Sequence, residues 1–238
     1  MTKRKITVAV SGLNNIDSPG PGIPVIRGLK ESETFDIRIV GLSYETLEPG
    51  IYMSDLVDKV YQLPLPTAGS AVLKERLKYI VSQEKIDVLI PNFDAELHNF
   101  IKIQDDLKNE LNIATFLPSQ AIFDERQKSE LGKFGEKYGV KVPESHMINQ
   151  VTEIRKLEEN LHYPMVIKGR YYDAYIALTY EQASNYFYKI IAKWGYPVIV
   201  QEFVTGTEVN VTAIGDGKGT CIGAVAMRKL YITDKGKA

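Results

Sequence analysis

The chain has 238 residues, which exceeds the usual size of one domain, so we expect two domains or one domain with part of another. Its 29 basic and 30 acidic residues nearly cancel, which excludes the broad positive field typical of proteins that bind nucleic acid or anionic membranes. A single cysteine excludes an internal disulfide, and no stretch reaches transmembrane length, so we expect a cytoplasmic protein.

Short apolar runs alternate with helical segments in the first half of the chain. Four of these runs are predicted as strands, namely "KITVAVSG", "FDIRIVGLS", "DKVYQLP" and "KIDVLIPN". Helical segments are predicted at residues 23–30 and 70–84, followed by a polar helical region at 95–111. Strands joined by helical crossovers indicate a parallel sheet with helices on its faces, so residues 1–120 are predicted to form an α/β domain.

The pattern changes in the second half of the chain. Helices are predicted at residues 127–138, 151–161 and 180–194, and Gly139 is expected to end the first of them. Successive strands follow in "YPVIVQEFV", "GTEVNVTAIG" and "GTCIGAVAMRKL", and Cys221 is expected to be buried in the last. Consecutive strands with short glycine-containing connections favour an antiparallel sheet, so residues 121–238 are predicted to form an α+β segment.

Two segments of the second half carry candidate ligand-binding residues. Lys168 ends the apolar strand "YPMVIKG", where its ammonium either reaches solvent or meets a phosphate in a nucleotide cleft. In "VIVQEFVTGTEVNV", the backbone edge and Val204 can contact a flat heterocycle, and Glu208 can accept hydrogen bonds from ribose hydroxyls. The alternative for this second segment is a plain hairpin with glutamates facing solvent.

These motifs, with "DERQKSELGKFGEKYGVKVPE" before them, resemble the ATP-grasp superfamily, and most closely proteins similar to the carbamoyl-phosphate synthase large subunit. The resemblance implies that Lys128, eleven positions before Gly139, and Lys168 contact the phosphates of ATP. It also implies nucleotide contacts for six further residues. Glu202, Phe203 and Val204 would hold the adenine edge, Glu208 would bind the ribose, and Arg228 and Lys229 would face the phosphates, with Arg228 assisting catalysis.

The resemblance carries a fold and a reaction with it. It implies a Rossmann-like pre-ATP-grasp domain at residues 1–120 and an incomplete ATP-grasp domain at 121–238, with a small lid subdomain at about 140–205. The implied reaction uses ATP to activate a small-molecule carboxylate as an acyl phosphate, which an amine or related nucleophile then attacks. A non-catalytic nucleotide-binding or regulatory module of the same fold is the alternative, and a homodimer is an open alternative to a monomer.

Two features depart from the family pattern. The sequence after Lys168, "GRYYDAYIALT", lacks the glycine- and serine-rich loop that folds over the phosphates in most members. The acidic and Glu-x-Asn ligands of Mg²⁺ would come after the final "ITDKGKA", so no metal ligand is assigned within the 238 residues. We therefore expect a C-terminally truncated chain that binds nucleotide better than it turns it over.

The first half offers a second candidate site. A glycine- and proline-rich loop follows the first strand, and such a loop can hold an anion at a helix N-terminus. Its glycines are too far apart for the fingerprint of dinucleotide binders, since Gly12 and Gly20 have seven residues between them. Asn92, Asp94 and Glu96 follow a later strand, where they either hold an amine or hydroxyl or, more simply, cap the next helix at Asp94.

Overall fold

The structure, a computed structural model, describes residues 3–16, 18–170 and 173–230, and the chain divides into the units Met1–Gln120 and Ala121–Ala238. The elements of the first unit are β1 (Arg4–Val10), β2 (Asn15–Ile16), β3 (Ser18–Pro19), α1 (Gly22–Lys30), β4 (Phe35–Ser43), β5 (Lys59–Gln62), α2 (Ser70–Gln83), β6 (Val88–Ile90), α3 (Asp94–Lys102) and α4 (Gln104–Asn109). Short 3-10 helices lie at Pro49–Tyr52 and Pro66–Ala68.

A parallel four-stranded sheet with the order β5-β4-β1-β6 forms the centre of the first unit. The central strand β1 is buried on both faces, because Val8 and Val10 belong to the cluster that contains Ile26 of α1, whereas Ala9 belongs to the cluster that contains Leu77 of α2. A strand covered on both faces needs a continuous apolar run, which β1 has. The prediction of a parallel α/β sheet is therefore confirmed.

The second unit is built from different elements. They are α5 (Gln120–Glu125), a 3-10 helix at Lys128–Glu130, α6 (Leu131–Tyr138), β7 (Ser145–Ile148), α7 (Glu153–Leu157), β8 (Met165–Gly169), β9 (Ala174–Ala177), α8 (Tyr180–Trp194), β10 (Val198–Glu202), β11 (Val209–Gly215) and β12 (Cys221–Arg228). Strands β7, β10, β8 and β9 form an antiparallel sheet in that order. One face of this sheet packs against α8 through Phe187 and Ile190, which share a buried cluster with Ile167 and Val200.

Strands β10 and β11 belong to different sheets. β10 pairs with β7 and β8, whereas β11 pairs only with β12 among the described residues, in a two-stranded antiparallel ribbon. The alternative of a plain hairpin across Gln201 and Glu208 is therefore wrong. All residues of the ribbon strands are exposed, so the predicted burial of Cys221 is also wrong, because no described segment covers either face of the ribbon.

Some predicted helices are shorter or divided. The segment 127–138 begins as the 3-10 helix Lys128–Glu130 and continues as α6, which ends at Gly139 in the left-handed conformation (φ 64°). The polar region 95–111 is divided at Ile103 into α3 and α4. This break lets Phe100 on one helix and Leu107 on the other join the same core cluster, together with Ile103 itself.

Candidate functional site

Lys168 lies on the face of the second unit's sheet that is opposite α8. Side chains alternate between the two faces of a strand, and its neighbour Ile167 is fully buried in the core beneath α8. The half-buried Lys168 Nζ donates a hydrogen bond to Gln201 Oε1 on the adjacent strand β10, at 2.5 Å. The ammonium is therefore held close to the sheet by β10.

Gln201 connects Lys168 to a third strand. Its side chain is buried, and its Nε2 donates a hydrogen bond to Ser145 Oγ on β7, at 2.6 Å. Ser145 Oγ in turn donates to the carbonyl oxygen of Pro143, at 3.2 Å. One continuous chain of hydrogen bonds thus crosses β8, β10 and the start of β7.

Lys128 acts on Lys168 through its charge. Burial is the main cause that lowers the pKa of the Lys168 ammonium, and the positive charge of Lys128 lowers this pKa further. Lys128 begins the short 3-10 helix before α6, so a helix terminus and a strand end bring the two lysines within electrostatic range of each other. Two of the residues predicted from the sequence therefore influence each other electrostatically.

The predicted adenine segment continues directly from the strand that carries Gln201. The backbone N–H of Glu202 donates to the carbonyl of Glu144 at 2.8 Å, and the Glu202 carboxylate accepts from the backbone N–H of Glu144 at 3.2 Å. Phe203 and Val204 then leave the strand without regular structure; Phe203 is partly buried and Val204 is 62% exposed. The backbone is thus fixed at Glu202 and opens towards solvent two residues later.

Glu208, Arg228 and Lys229 come together at one end of the β11–β12 ribbon. Arg228 ends β12 opposite Val209, the first residue of β11, and Glu208 immediately precedes that residue. Lys229 Nζ forms an ion pair with Glu208 Oε1 at 2.7 Å. The predicted ribose-binding acid is therefore paired with a predicted phosphate-binding lysine, a contact that the sequence did not predict.

The connection after Lys168 is short. The backbone N–H of Gly169 donates to the carbonyl of Asp173 at 3.0 Å, and β9 then returns antiparallel to β8. Tyr171 and Tyr172, which belong to the loop that departs from the family pattern, lie outside the described residues. Residues 231–238, which include the final "ITDKGKA", also lie outside them.

A second polar cluster lies in the first unit, where β1, β4 and β6 end. Glu96 accepts hydrogen bonds from the Ser11 and Tyr44 hydroxyls, from the backbone N–H of Asn92 at 2.7 Å and from that of Phe93 at 3.0 Å. The carboxyl ends of parallel strands meet at one edge of a sheet, which is why residues so far apart in sequence converge here. The sequence singled out Asn92 and Glu96 but missed Ser11 and Tyr44, which only the strand order reveals.

The Glu96 carboxylate accepts hydrogen bonds from the backbone N–H groups just before α3. Asp94 is the first helical residue and Phe93 holds the N-cap position, so the predicted cap at Asp94 lies one residue too late. Burial raises the pKa of the Glu96 carboxyl, and burial followed by the nearby Glu96 charge raises the pKa of the Tyr44 hydroxyl. These contacts account for Glu96 as a residue that joins three loops and caps a helix.

The described chain has neither a group of metal ligands nor a membrane-spanning helix. Across residues 3–16, 18–170 and 173–230, no three side chains of His, Cys, Asp or Glu form a group suited to a metal ion. Within the same ranges, the helices are all too short or too polar to cross a bilayer.

Comparisons with known proteins identify the fold. No family model and no curated protein matches this sequence. Among solved structures, N5-carboxyaminoimidazole synthetase from Staphylococcus aureus complexed with ADP has a TM-score of 0.62 and 16% identity over 88% of this chain and 50% of its own. L-amino acid ligase from Bacillus licheniformis has a TM-score of 0.62 and 17% identity over 95% of this chain and 52% of its own.

A third structure extends this set. The biotin carboxylase–β-γ-ATP complex from Campylobacter jejuni has a TM-score of 0.63 and 14% identity over 93% of this chain and 50% of its own. This chain thus spans about half the length of each of these three proteins. At these low identities the likeness concerns the fold, so this chain has the fold of about half of each of these three proteins.

Proposed function

We propose that the second unit binds ATP and that Lys128 and Lys168 contact its phosphates. The observation that carries this proposal is the half-buried Lys168 ammonium, which is hydrogen-bonded to a neutral amide on the face of the sheet opposite α8. The positive charge of Lys128 also acts on this ammonium, and a bound polyanion would offset the repulsion between the two charges. The Lys168 side chain is thus well suited to a phosphate.

Apolar side chains on the same face of the sheet support a heterocycle beside those phosphates. Strand alternation and register put Met147 and Ile176 on the face that carries Lys168, and both are about half exposed (52% and 51%). A flat aromatic base needs apolar contact on its faces and a hydrogen-bonding edge. In this proposal the backbone of Glu202, Phe203 and Val204 supplies the edge, and Glu208 accepts from the ribose.

The proposed reaction of the whole protein is ATP-dependent activation of a carboxylate as an acyl phosphate, followed by attack of an amine or related nucleophile. The neighbours with this fold support it, since they include a synthetase named with ADP, an L-amino acid ligase and a biotin carboxylase named in a β-γ-ATP complex. Arg228 and Lys229 would add positive charge where negative charge develops during transfer. A function like that of the carbamoyl-phosphate synthase large subunit is a narrower form of the same proposal.

Mg²⁺ would neutralise ATP phosphates in such a reaction. The described residues do not by themselves fit this ion, because they contain no suitable group of three ligands and the acid at the ribbon, Glu208, is paired with Lys229. We therefore assign no step to the metal. Small-molecule carboxylate and amine substrates, a cytoplasmic location and a homodimer complete the proposal.

A non-catalytic nucleotide-binding module is the second candidate. The small number of residues between β8 and β9 favours it, because a short connection provides little backbone to fold over the phosphates. ADP release in the presence of ATP, Mg²⁺, bicarbonate, amino acids and ammonia separates the two candidates. Release supports the ligase, and binding without release supports the module.

The phosphate assignment is tested by calorimetric titration of ATP into wild type, Lys168→Met and Lys189→Met. Lys168→Met is expected to weaken binding at least about tenfold, since a hydrogen bond to a charged group contributes roughly 1.5–3 kcal/mol. Lys189 is the matched control, because it extends from α8 over the Tyr175 ring and lies away from Lys168. Absence of binding by wild type, or equal affinity of Lys168→Met, would show that the assignment is wrong.

A further inference from the structure

Gln201 is a buried polar side chain that follows the three apolar residues of β10. It is 7% exposed, and it follows Val198, Ile199 and Val200, which are exposed by no more than 3%. A buried amide is unfavourable unless both its oxygen and its nitrogen find partners. Here the oxygen accepts from Lys168 and the nitrogen donates to Ser145, so this position has a specific local purpose.

The partners determine which way the amide points. The Lys168 ammonium can only donate, so it requires the oxygen of Gln201. The Ser145 hydroxyl donates its hydrogen to the Pro143 carbonyl, which leaves its oxygen to accept from Gln201 Nε2. A reversed amide would present its NH₂ group to the Lys168 ammonium and would receive a hydrogen from Ser145 only if Ser145 gave up its bond to Pro143, so the Ser145–Pro143 hydrogen bond supports the orientation that Lys168 needs.

The neutrality of Gln201 matters as much as its position. An amide oxygen can hold the ammonium through a hydrogen bond without cancelling its charge, whereas a carboxylate would neutralise it as an ion pair. The charged neighbour that acts on Lys168 is Lys128, which is itself positive. The local positive charge is therefore retained for an incoming anion.

We propose that Gln201, whose amide also bonds Ser145, is a positioning residue that holds the Lys168 ammonium at the face of the sheet opposite α8 for a nucleotide phosphate. This inference rests on the proposed function, because Lys168 is the group that meets the phosphate there. In this proposal Gln201 acts on the phosphate through the Lys168 ammonium. Its contribution is to reduce the number of positions that a long, flexible side chain samples before ATP binds.

The test uses the full chain with the variants Gln201→Glu and Ser145→Ala. The Lys168 ammonium is titrated by NMR, its signal being assigned with Lys168→Arg, and ATP affinity is measured by calorimetry. Gln201→Glu is expected to raise the pKa of Lys168 and to weaken ATP binding at least about tenfold, because the new carboxylate pairs with the ammonium and repels phosphate. Ser145→Ala is expected to weaken ATP binding about threefold without changing any formal charge.

Gln150→Glu is the matched control, since it introduces the same charge at an exposed loop position of the same unit. It is expected to leave both the Lys168 pKa and the ATP affinity unchanged. If Gln201→Glu does not fold by circular dichroism, Gln201→Met replaces it. That variant removes the acceptor with little change of volume and is expected to lower the pKa of Lys168 and weaken ATP binding.

Three results overturn the inference, and they are distinguishable. An unchanged Lys168 pKa in the Gln201 variants shows that the hydrogen bond does not form in solution. A changed pKa with wild-type ATP affinity, while Lys168→Met binds ATP weakly, shows that Lys168 works without Gln201. Wild-type affinity in Lys168→Met itself identifies failure of the proposed phosphate site, and the positioning role fails with it.

Discussion

Glu96 shows at the scale of one residue how the first unit holds its loops together. Its carboxyl receives hydrogen bonds from residues that follow three different strands, and burial raises its pKa. A carboxyl whose native pKa is raised stabilises the fold fully only below the ordinary glutamate pKa of about 4.3, and this contribution is lost as the pH rises through the native pKa. Stability from Glu96 is therefore greatest in mild acid.

We predict that Glu96→Gln destabilises the protein more at pH 5 than at pH 8, because the variant lacks the proton-linked stabilisation. The loss at pH 5 should be about 1–3 kcal/mol, as expected when buried hydrogen bonds are disturbed. Urea unfolding followed by circular dichroism measures it. The exposed Glu75→Gln serves as control, with a change below about 0.5 kcal/mol at either pH. An equal loss for Glu96→Gln at both pH values would contradict the prediction.

The sequence predicted some site residues better than others for a physical reason. Lys168 stood out because a lysine at the end of an apolar run is unusual, and the structure gives it a buried partner. The role of Gln201 and the participation of Ser145 depend on the register between β7, β10 and β8, which no local pattern of residues reveals. Contacts of this kind become visible only once the strands are paired.

Helix α1 shows at the scale of an element how closely the first unit is packed. A Cβ added at Gly22, the first residue of α1, would lie 2.2 Å from the carbonyl oxygen of Ser11 and 2.7 Å from that of Gly12. Both atoms belong to the backbone that leaves β1, so they cannot rotate away. A Cβ added at Gly28, in the same helix, would meet no atom within 4 Å.

This contrast predicts opposite effects of one substitution in one helix. Gly22→Ala should destabilise the protein by about 2 kcal/mol or more, because overpacking forces the backbone to shift. Gly28→Ala should stabilise it by up to about 1 kcal/mol through helix propensity. Chemical denaturation of both variants measures these changes, and a neutral Gly22→Ala would mean that the loop after β1 is free to move.

The β11–β12 ribbon should add little to the stability of the second unit in a chain of these 238 residues. Two-stranded ribbons are marginal by themselves, and Ile222 is 69% exposed, whereas Ile167 in β8 is fully buried. We predict that Ile222→Ala costs less than about 1 kcal/mol and Ile167→Ala about 2–5 kcal/mol. The free energies of unfolding of the two variants are measured by the fluorescence of Trp194, the single tryptophan. Similar losses in the two variants would show that the ribbon is packed in solution.

The elements themselves were predictable to different degrees. Helix α8 has the predicted bounds, Tyr180–Trp194, because its apolar period is regular and Gly195 ends it. The sheet membership of β10 was not predictable, since an apolar run next in sequence to β11 is compatible with pairing to it or to other strands. Likewise, the exposure of Cys221 depends on what covers the ribbon, which the apolar character of β12 does not determine.

At the scale of the whole molecule, each unit has its own buried core. The first unit contains two clusters on the faces of its parallel sheet, and the cluster of the second unit lies between its antiparallel sheet and α8. We predict that residues 1–120 expressed alone fold cooperatively, since a unit with a separate core can fold by itself. Circular dichroism during urea unfolding tests this, and a gradual, non-sigmoidal change would contradict it.

The strand order of the second unit also has a consequence for synthesis. β10 is the last of the four strands to leave the ribosome, yet it lies between β7 and β8 in the sheet. Among the described strands, β7 pairs with β10 alone. Until residue 202 has emerged, β7 has no partner in the sheet and Lys168 has no Gln201 to hold it. Assembly of the complete sheet therefore waits for contacts between residues far apart in sequence. Such contacts form more slowly than contacts between neighbouring segments.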